Sequence, residues 1–162
     1  MKNSLLALYR DYLMSSFARI TATGLSQLPD HEVSHDQITR FLAGTDYTSR
    51  DLWSLVKPTV HTIEADEGVL IFDDTLEEKT YTDENEIITR HFDHCQNRTV
   101  KGANILNCLY HANGINVPVA FEIVDKDLLF CDMQIPQVKR HSALTKNGQL
   151  RQMLRVCRQN QL

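Results

Sequence analysis

The run "NILNCLYHANGINVPVAFEIV" at residues 104–124 restricts the possible folds of this chain more than any other stretch. Two strand-like segments, residues 105–110 and 115–124, flank Asn113 and Gly114, and an Asn-Gly pair suits a tight reversal. The sequence predicts an antiparallel hairpin here. Pro118 has no N–H to give to a ladder, so the second arm belongs at a sheet edge.

Upstream, "GVLIFDDTLEEK" at residues 68–79 drives a short apolar run into two adjacent carboxylates. Residues 69–72 read as a strand covered on both faces. Burying Asp73 and Asp74 beside it is unfavourable unless something compensates their charge. Neighbouring strand residues face opposite sides, so the two acids cannot both enter one site. Between Glu64 and Glu86 there are ten acidic residues and one lysine, with no apolar period after Leu76, which predicts an exposed loop containing Glu77 and Glu78.

The first third of the chain has helical spacing. Leu5, Leu6, Tyr9, Tyr12, Leu13, Phe17 and Ile20 share a face, with Gly24 as the stop and a polar loop following through Pro29 and His31. In "SHDQITRFLAG", Ser34 is the N-cap, Gln37 completes a capping box, Ile38, Phe41 and Leu42 face inward, and Gly44 terminates the helix. "YTSRDLWSLV" repeats this grammar, with Thr48 as cap and Leu52, Trp53 and Val56 inward. Pro58 should end or kink that helix, although the pattern reaches Ile63. Three short helices of this kind fit either a helix-turn-helix-like DNA binder, with Arg40 as its phosphate contact, or a plain bundle. Thr145 starts a last helix, with Leu150, Met153, Leu154 and Cys157 on one stripe and Arg151, Arg155 and Arg158 on another face.

Charge is unevenly spread. Residues 1–97 carry 8 basic against 17 acidic side chains, whereas residues 98–162 carry 9 against 4, within a net charge of −4. After Asp132 every formal charge is positive, from Lys139 and Arg140 to Arg158. This split fits a polyanionic partner on one side, or simply two differently solvated faces. No segment is long and apolar enough to cross a membrane, and the charged N-terminus does not read as a signal peptide. Cys95, Cys108, Cys131 and Cys157 lack CxxC spacing, which favours free thiols and a cytoplasmic location. "RHFDHC" places His91, His94 and Cys95 close together, yet no second spaced pair follows to complete a zinc site, and the stretch reads as an exposed connector. "NRTVKG" joins Arg98 and Lys101 to a glycine before a strand, where amides and cations could hold phosphate, or where a solvated turn would look the same.

The order of strand with carboxylates, hairpin and helix is the opening half of a ribonuclease-H-like sheet. "DDT", "RTVKG" and "LYHANGINVPVAFEIV" carry a further resemblance, extending from about Ser34 to the last residue, to bacterial insertion-sequence transposases of the DDE class. That resemblance implies an α+β chain: a helical, DNA-binding region over residues 1–65, then a ribonuclease-H-like unit over residues 66–162. The unit would be incomplete, with three antiparallel strands plus a helix and the acid-bearing strand central. It also implies that an acid of "DDT" is the first member of a catalytic, metal-binding triad. Asp74, directly before Thr75, is preferred, with Asp73 as the alternative. In such sites two Mg²⁺ ions about 4 Å apart activate the attacking oxygen and stabilise the leaving one.

Arg98, Lys101, Arg40, Lys139 and Arg140 are the expected DNA contacts. The expected partners are transposon-end DNA and a second copy or a full-length transposase. The sequence departs from the family pattern where it stops at "VCRQNQL", before a second Asp and a Glu. Glu122, Asp125, Asp127 and Asp132 lie in or just after the hairpin and do not replace them. The expectation is therefore an N-terminal transposase portion, inactive alone and binding Mg²⁺ weakly or not at all. A non-catalytic competitor for element ends, or an inert remnant, are the alternatives.

Overall fold

The structure is a computed structural model that describes every residue except 1, 18–19, 29–32, 45 and 132–137, with only the backbone of residues 2 and 3. The loop expected through Pro29 and His31, and Asp132, lie outside the described residues. The chain divides into two compact units, Met1–Tyr47 and Thr48–Leu162.

The first unit holds α1 (Lys2–Ser15), α2 (Ala22–Ser26) and α3 (His35–Ala43). Its core is Tyr12, Leu25 and Ile38, with Leu8, Tyr9, Ala22 and Val33 against it. The capping box forms as expected: Ser34 Oγ accepts from the Gln37 amide at 3.3 Å, and Gln37 Oε1 accepts from the Ser34 amide at 2.9 Å. The predicted first helix is too long. It ends at Ser15, Phe17 is fully exposed, and Thr21 caps a separate short helix through its side-chain oxygen. Leu42 is also exposed rather than inward.

The second unit runs α4 (Ser49–Ile63), β1 (Val69–Glu78), β2 (Thr89–Asp93), β3 (Arg98–Ala112), β4 (Ile115–Ile123), β5 (Leu128–Cys131), β6 (Val138–His141) and α5 (Lys146–Gln159). It is a mixed α and β fold with antiparallel sheets. The Asn113–Gly114 reversal is present, with φ of 52° and 75°, values that Gly reaches without strain and Asn tolerates. Pro118 lies on β4, which among the described residues pairs only with β3, beside a register shift opposite Cys108 and Leu109. A bulge there accommodates the missing donor.

Several expectations need correction. α4 belongs to the sheet unit and not to the N-terminal helices, so compactness divides the chain after Tyr47 instead of after residue 65. Trp53, Val60 and Ile63 of α4 join Leu106, Cys108, Tyr110 and Ala112 of β3, Val117, Val119 and Ala120 of β4, Val124, and Met153 and Cys157 of α5 in one core. That burial carries the helix through Pro58, because each large apolar side chain taken from water contributes about 1.5–3 kcal/mol. The central strand is β3, not β1. Among the described residues β1 pairs with β3 and its other edge is open, and Val69 and Ile71 are exposed. Leu70 and Phe72 pack against the core, so the run is covered on one face only.

β1 also extends through Glu77 and Glu78, which were expected in a loop. Residues 89–93 form β2, with Thr89 and His91 buried, where a connector was expected. Arg98 to Gly102 is the start of β3, its backbone engaged by β2, and not a turn free to hold phosphate. Gly102 sits where β1 and β2 both reach β3, and a Cβ there would lie 2.2 Å from the Glu77 carbonyl oxygen. On α5, Leu154 is exposed, and buried Gln149 joins Met153 and Cys157 on the inner face instead.

Candidate active-site cleft

The alternation of β1 decides where each acid goes. Asp74 lies opposite Leu106 and shares a face with Phe72, the face covered by the helices. Asp73, opposite Asn107, takes the other face, and its Oδ1 accepts a hydrogen bond from the Asp74 amide at 2.9 Å. β3 supplies Asn104 to the Asp74 side. It is almost wholly buried, because even-numbered β3 residues point into the core.

α5 supplies Lys146. Thr145 caps this helix by accepting from the Gly148 amide at 3.2 Å, which makes Lys146 its first residue and aims it at β1. Lys146 Nζ donates to Asp74 Oδ2 at 2.5 Å, and Asn104 Nδ2 donates to the same oxygen at 3.3 Å. Asp74 is close to half exposed. The Lys146 hydrogen bond holds its carboxyl below the usual range, against the opposing effect of partial burial, with Asn104 and the charges of Lys146 and His94 adding to the depression.

These residues open into a cleft of about 300 Å³ lined by Phe72, Leu106, Leu150 and Met153 below and by Asp73, Asp74, His94, Asn107, Lys146 and Asn147 at the rim. Asn107 Nδ2 donates to Thr75 Oγ1 at 3.1 Å, tying β3 to β1 beside the acids. On β2, His91 is buried with Nε2 unpartnered among the described residues, and burial first, then the charges of Lys126 and Lys146, push its pKa down to about 4. Asn104 Oδ1 and Gln149 Oε1 are likewise buried without a partner.

The basic residues singled out from sequence are spread more widely. Lys139 and Arg140 lie on β6 in a cleft of about 720 Å³ shared with Glu84, Thr89, Arg90 and His141. Lys101 sits opposite Arg90 in the β2–β3 ladder. Arg98 is ion-paired to Glu78 at 2.7 Å, which raises the guanidinium pKa further and lowers that of the carboxyl. Arg40 is in the last turn of α3, in the other unit. Cys108 and Cys157 meet in the core as free thiols sharing a hydrogen bond, sulfurs 3.9 Å apart, whereas Cys95 and Cys131 are exposed.

Sequence reasoning missed Lys146, which lines this cleft, and Asn104, which holds Asp74 from β3. Two signals were available. A lysine directly after an N-cap opposes the helix dipole, so it needs an anion nearby. An asparagine in phase with Leu106 and Cys108 puts an amide on a buried face, where it requires a partner.

The chain matches, over residues 2–158, the model of a family described as DDE superfamily endonuclease. The match covers nearly the whole chain, and the chain belongs to the DDE superfamily endonucleases. No curated protein and no solved structure matches it. Membership implies DNA as the family's substrate and divalent-metal chemistry as its means. The described residues do not fit a metal centre. Among them no three His, Cys, Asp or Glu side chains come together. Asp73 Oδ1 is engaged by the Asp74 amide, and Lys146 already holds the Asp74 oxygen.

Proposed function

We propose that this chain is the end-engaging part of an insertion-sequence DDE transposase, and that by itself it neither cuts nor joins DNA. The observation that carries the reading is the family match over nearly the whole chain. Asp74 is the acid of the family site and Asp73 the alternative. On this reading Mg²⁺ is the family's ion, held weakly or not at all by these residues, because one carboxylate cannot clamp two ions.

DNA lies along the basic side chains of Arg98, Lys101, Lys139 and Arg140, with the N-terminal helical region and Arg40 adding contacts to the backbone. Transposon ends are the partner, together with a second copy or a full-length transposase, in the cytoplasm. No described helix is long and apolar enough to cross a membrane. A second reading, a non-catalytic protein that competes with active transposase for element ends, draws support from the Lys146–Asp74 pair, which neutralises one of the two acids of the cleft.

Fluorescence anisotropy on element-end duplexes tests both. If four of the named cations reach phosphates, log affinity should fall with log salt at a slope of about −4. Affinity independent of salt, or absent at low salt, would remove DNA from the account. Inhibition of transposition in cells making both proteins would favour the second reading over the first.

A further inference from the structure

We infer that the β5–β6 ribbon seats an unpaired stretch of DNA strand, with phosphates in the cleft beside β2 and a base stacked against Phe130. The inference rests on the reading of DNA as this chain's partner, and adds where and in what form the strand is held.

The ribbon pairs Leu128–Cys131 with Val138–His141, apart from the larger sheet. A two-stranded ribbon is marginally stable by itself. Here Lys126 ties its base to the β2 side of the fold. The Lys126 amide donates to the Glu86 carbonyl at 2.7 Å, its ammonium donates to the Arg90 carbonyl, and its own carbonyl accepts from Arg140 Nη1 at 3.4 Å. The cleft of about 720 Å³ so formed is lined by the cations Arg90, Lys139 and Arg140, with His141 beside them. Neither ribbon strand carries an acid. Glu84, the carboxylate that reaches the cleft, accepts a hydrogen bond from Thr89 Oγ1 at 3.3 Å. Guanidinium and ammonium groups gathered in this way attract phosphodiesters.

Cations alone would grip a duplex as readily as a single strand. The apolar side chains make the difference. Leu128, Leu129, Phe130 and Val138 are all exposed, although each would be stabilised by leaving water. A paired duplex has little to offer them, because its base faces are already covered by their neighbours. An unpaired base has a free π-face, and aromatic rings beside cations are how such bases are held. The ribbon register sets Phe130 opposite Lys139 and Leu128 opposite His141, which places all four on one face. The Phe130 and His141 rings lie 4.5 Å apart at 43°. Since His141 also lines the cleft, the ring that would take a base adjoins the wall that would take a phosphate.

The test uses the full chain and two fluorescein-labelled probes of one sequence, a fully paired duplex and the same duplex with a short unpaired stretch. By anisotropy, wild type should prefer the second probe by about tenfold. Phe130→Ala should abolish that preference and leave affinity for the paired probe within about twofold, whereas Phe130→Trp should keep it. Arg90→Gln should reduce the salt slope on the unpaired probe by about 1. In wild type, 5-iododeoxyuridine placed in the unpaired stretch should photo-crosslink to Phe130 or His141.

Equal affinity of wild type for the two probes, or a preference that survives Phe130→Ala, would overturn the inference and leave DNA as the partner. Binding to neither probe would overturn both. An unchanged slope in Arg90→Gln would overturn the placing of phosphates in the cleft. If Phe130→Ala does not fold, the crosslink decides without any variant, and crosslinks confined to other elements would overturn the inference. Self-association lost in Phe130→Ala, with no change in probe preference, would overturn it too and assign the ribbon to a second copy of the chain.

Discussion

Acid should weaken this fold through one side chain, His91. The ring is 4 % exposed, its Nε2 has no partner, and its pKa falls from 6.5 to about 4. Burial is the main cause, with the positive charges of Lys126 and Lys146 adding to it and Asp74 opposing it. Unfolded, the ring takes a proton below about pH 6.5; folded, it does so only near pH 4. Between those values the unfolded state binds more protons, so stability falls as the pH falls through the window. At about 1.4 kcal/mol for each pH unit, the whole window is worth about 3 kcal/mol.

The perturbation is His91→Leu, which removes the titrating ring and fills its place with apolar volume. The assay is urea denaturation of wild type and variant at pH 6.5, 5.5 and 4.5. Wild type should lose about 2–3 kcal/mol relative to the variant between the first and last pH. Glu122, whose carboxyl is raised by burial and by Asp125, contributes with the opposite sign, but it does so in both proteins and cancels in the difference. Asp74, with its depressed carboxyl, titrates below this window. Parallel pH profiles for the two proteins, or a measured His91 pKa near its unperturbed value, would refute the reasoning.

Other substitutions probe the supports of the cleft. Gly102→Ala should destabilise the unit by about 1–3 kcal/mol and speed amide exchange along β1, because the added Cβ meets the Glu77 backbone. Met153→Ala, which empties core volume beneath the cleft, should cost about 2–4 kcal/mol in denaturant titration. Ser34→Ala removes the α3 cap and should lower stability of the N-terminal unit by about 1 kcal/mol, read by far-ultraviolet melting. Asp74→Asn should change stability by less than about 1 kcal/mol, because the pair with Lys146 is solvent-screened.

How far the sequence was legible follows from the range of the forces involved. The Asn113–Gly114 hairpin and the Ser34 cap were readable because both are settled within a few residues. The alternation that separates Asp73 from Asp74 was readable for the same reason. The place of α4 was not, since helical spacing shows that a face is buried without showing which partner buries it. β2 escaped notice because the alternation in "TRHFD" is short and its residues are mostly polar; Thr89 and His91 are buried where β3 runs past them. Residues 69–72 suggested a strand covered on both faces, yet a four-residue apolar run looks the same when only Leu70 and Phe72 are covered and Val69 and Ile71 are exposed. The Lys146–Asp74 pair spans 72 positions. Nothing local announces it apart from a lysine placed against a helix dipole.

The most direct test of the account is to incubate the purified chain with element-end DNA in Mg²⁺ and follow both binding and strand integrity. The account predicts salt-sensitive binding with every phosphodiester intact, because no third acid joins Asp73 and Asp74 among the described residues and Asp74 is held by Lys146. Nicked or joined ends that vanish in Asp74→Asn would contradict it.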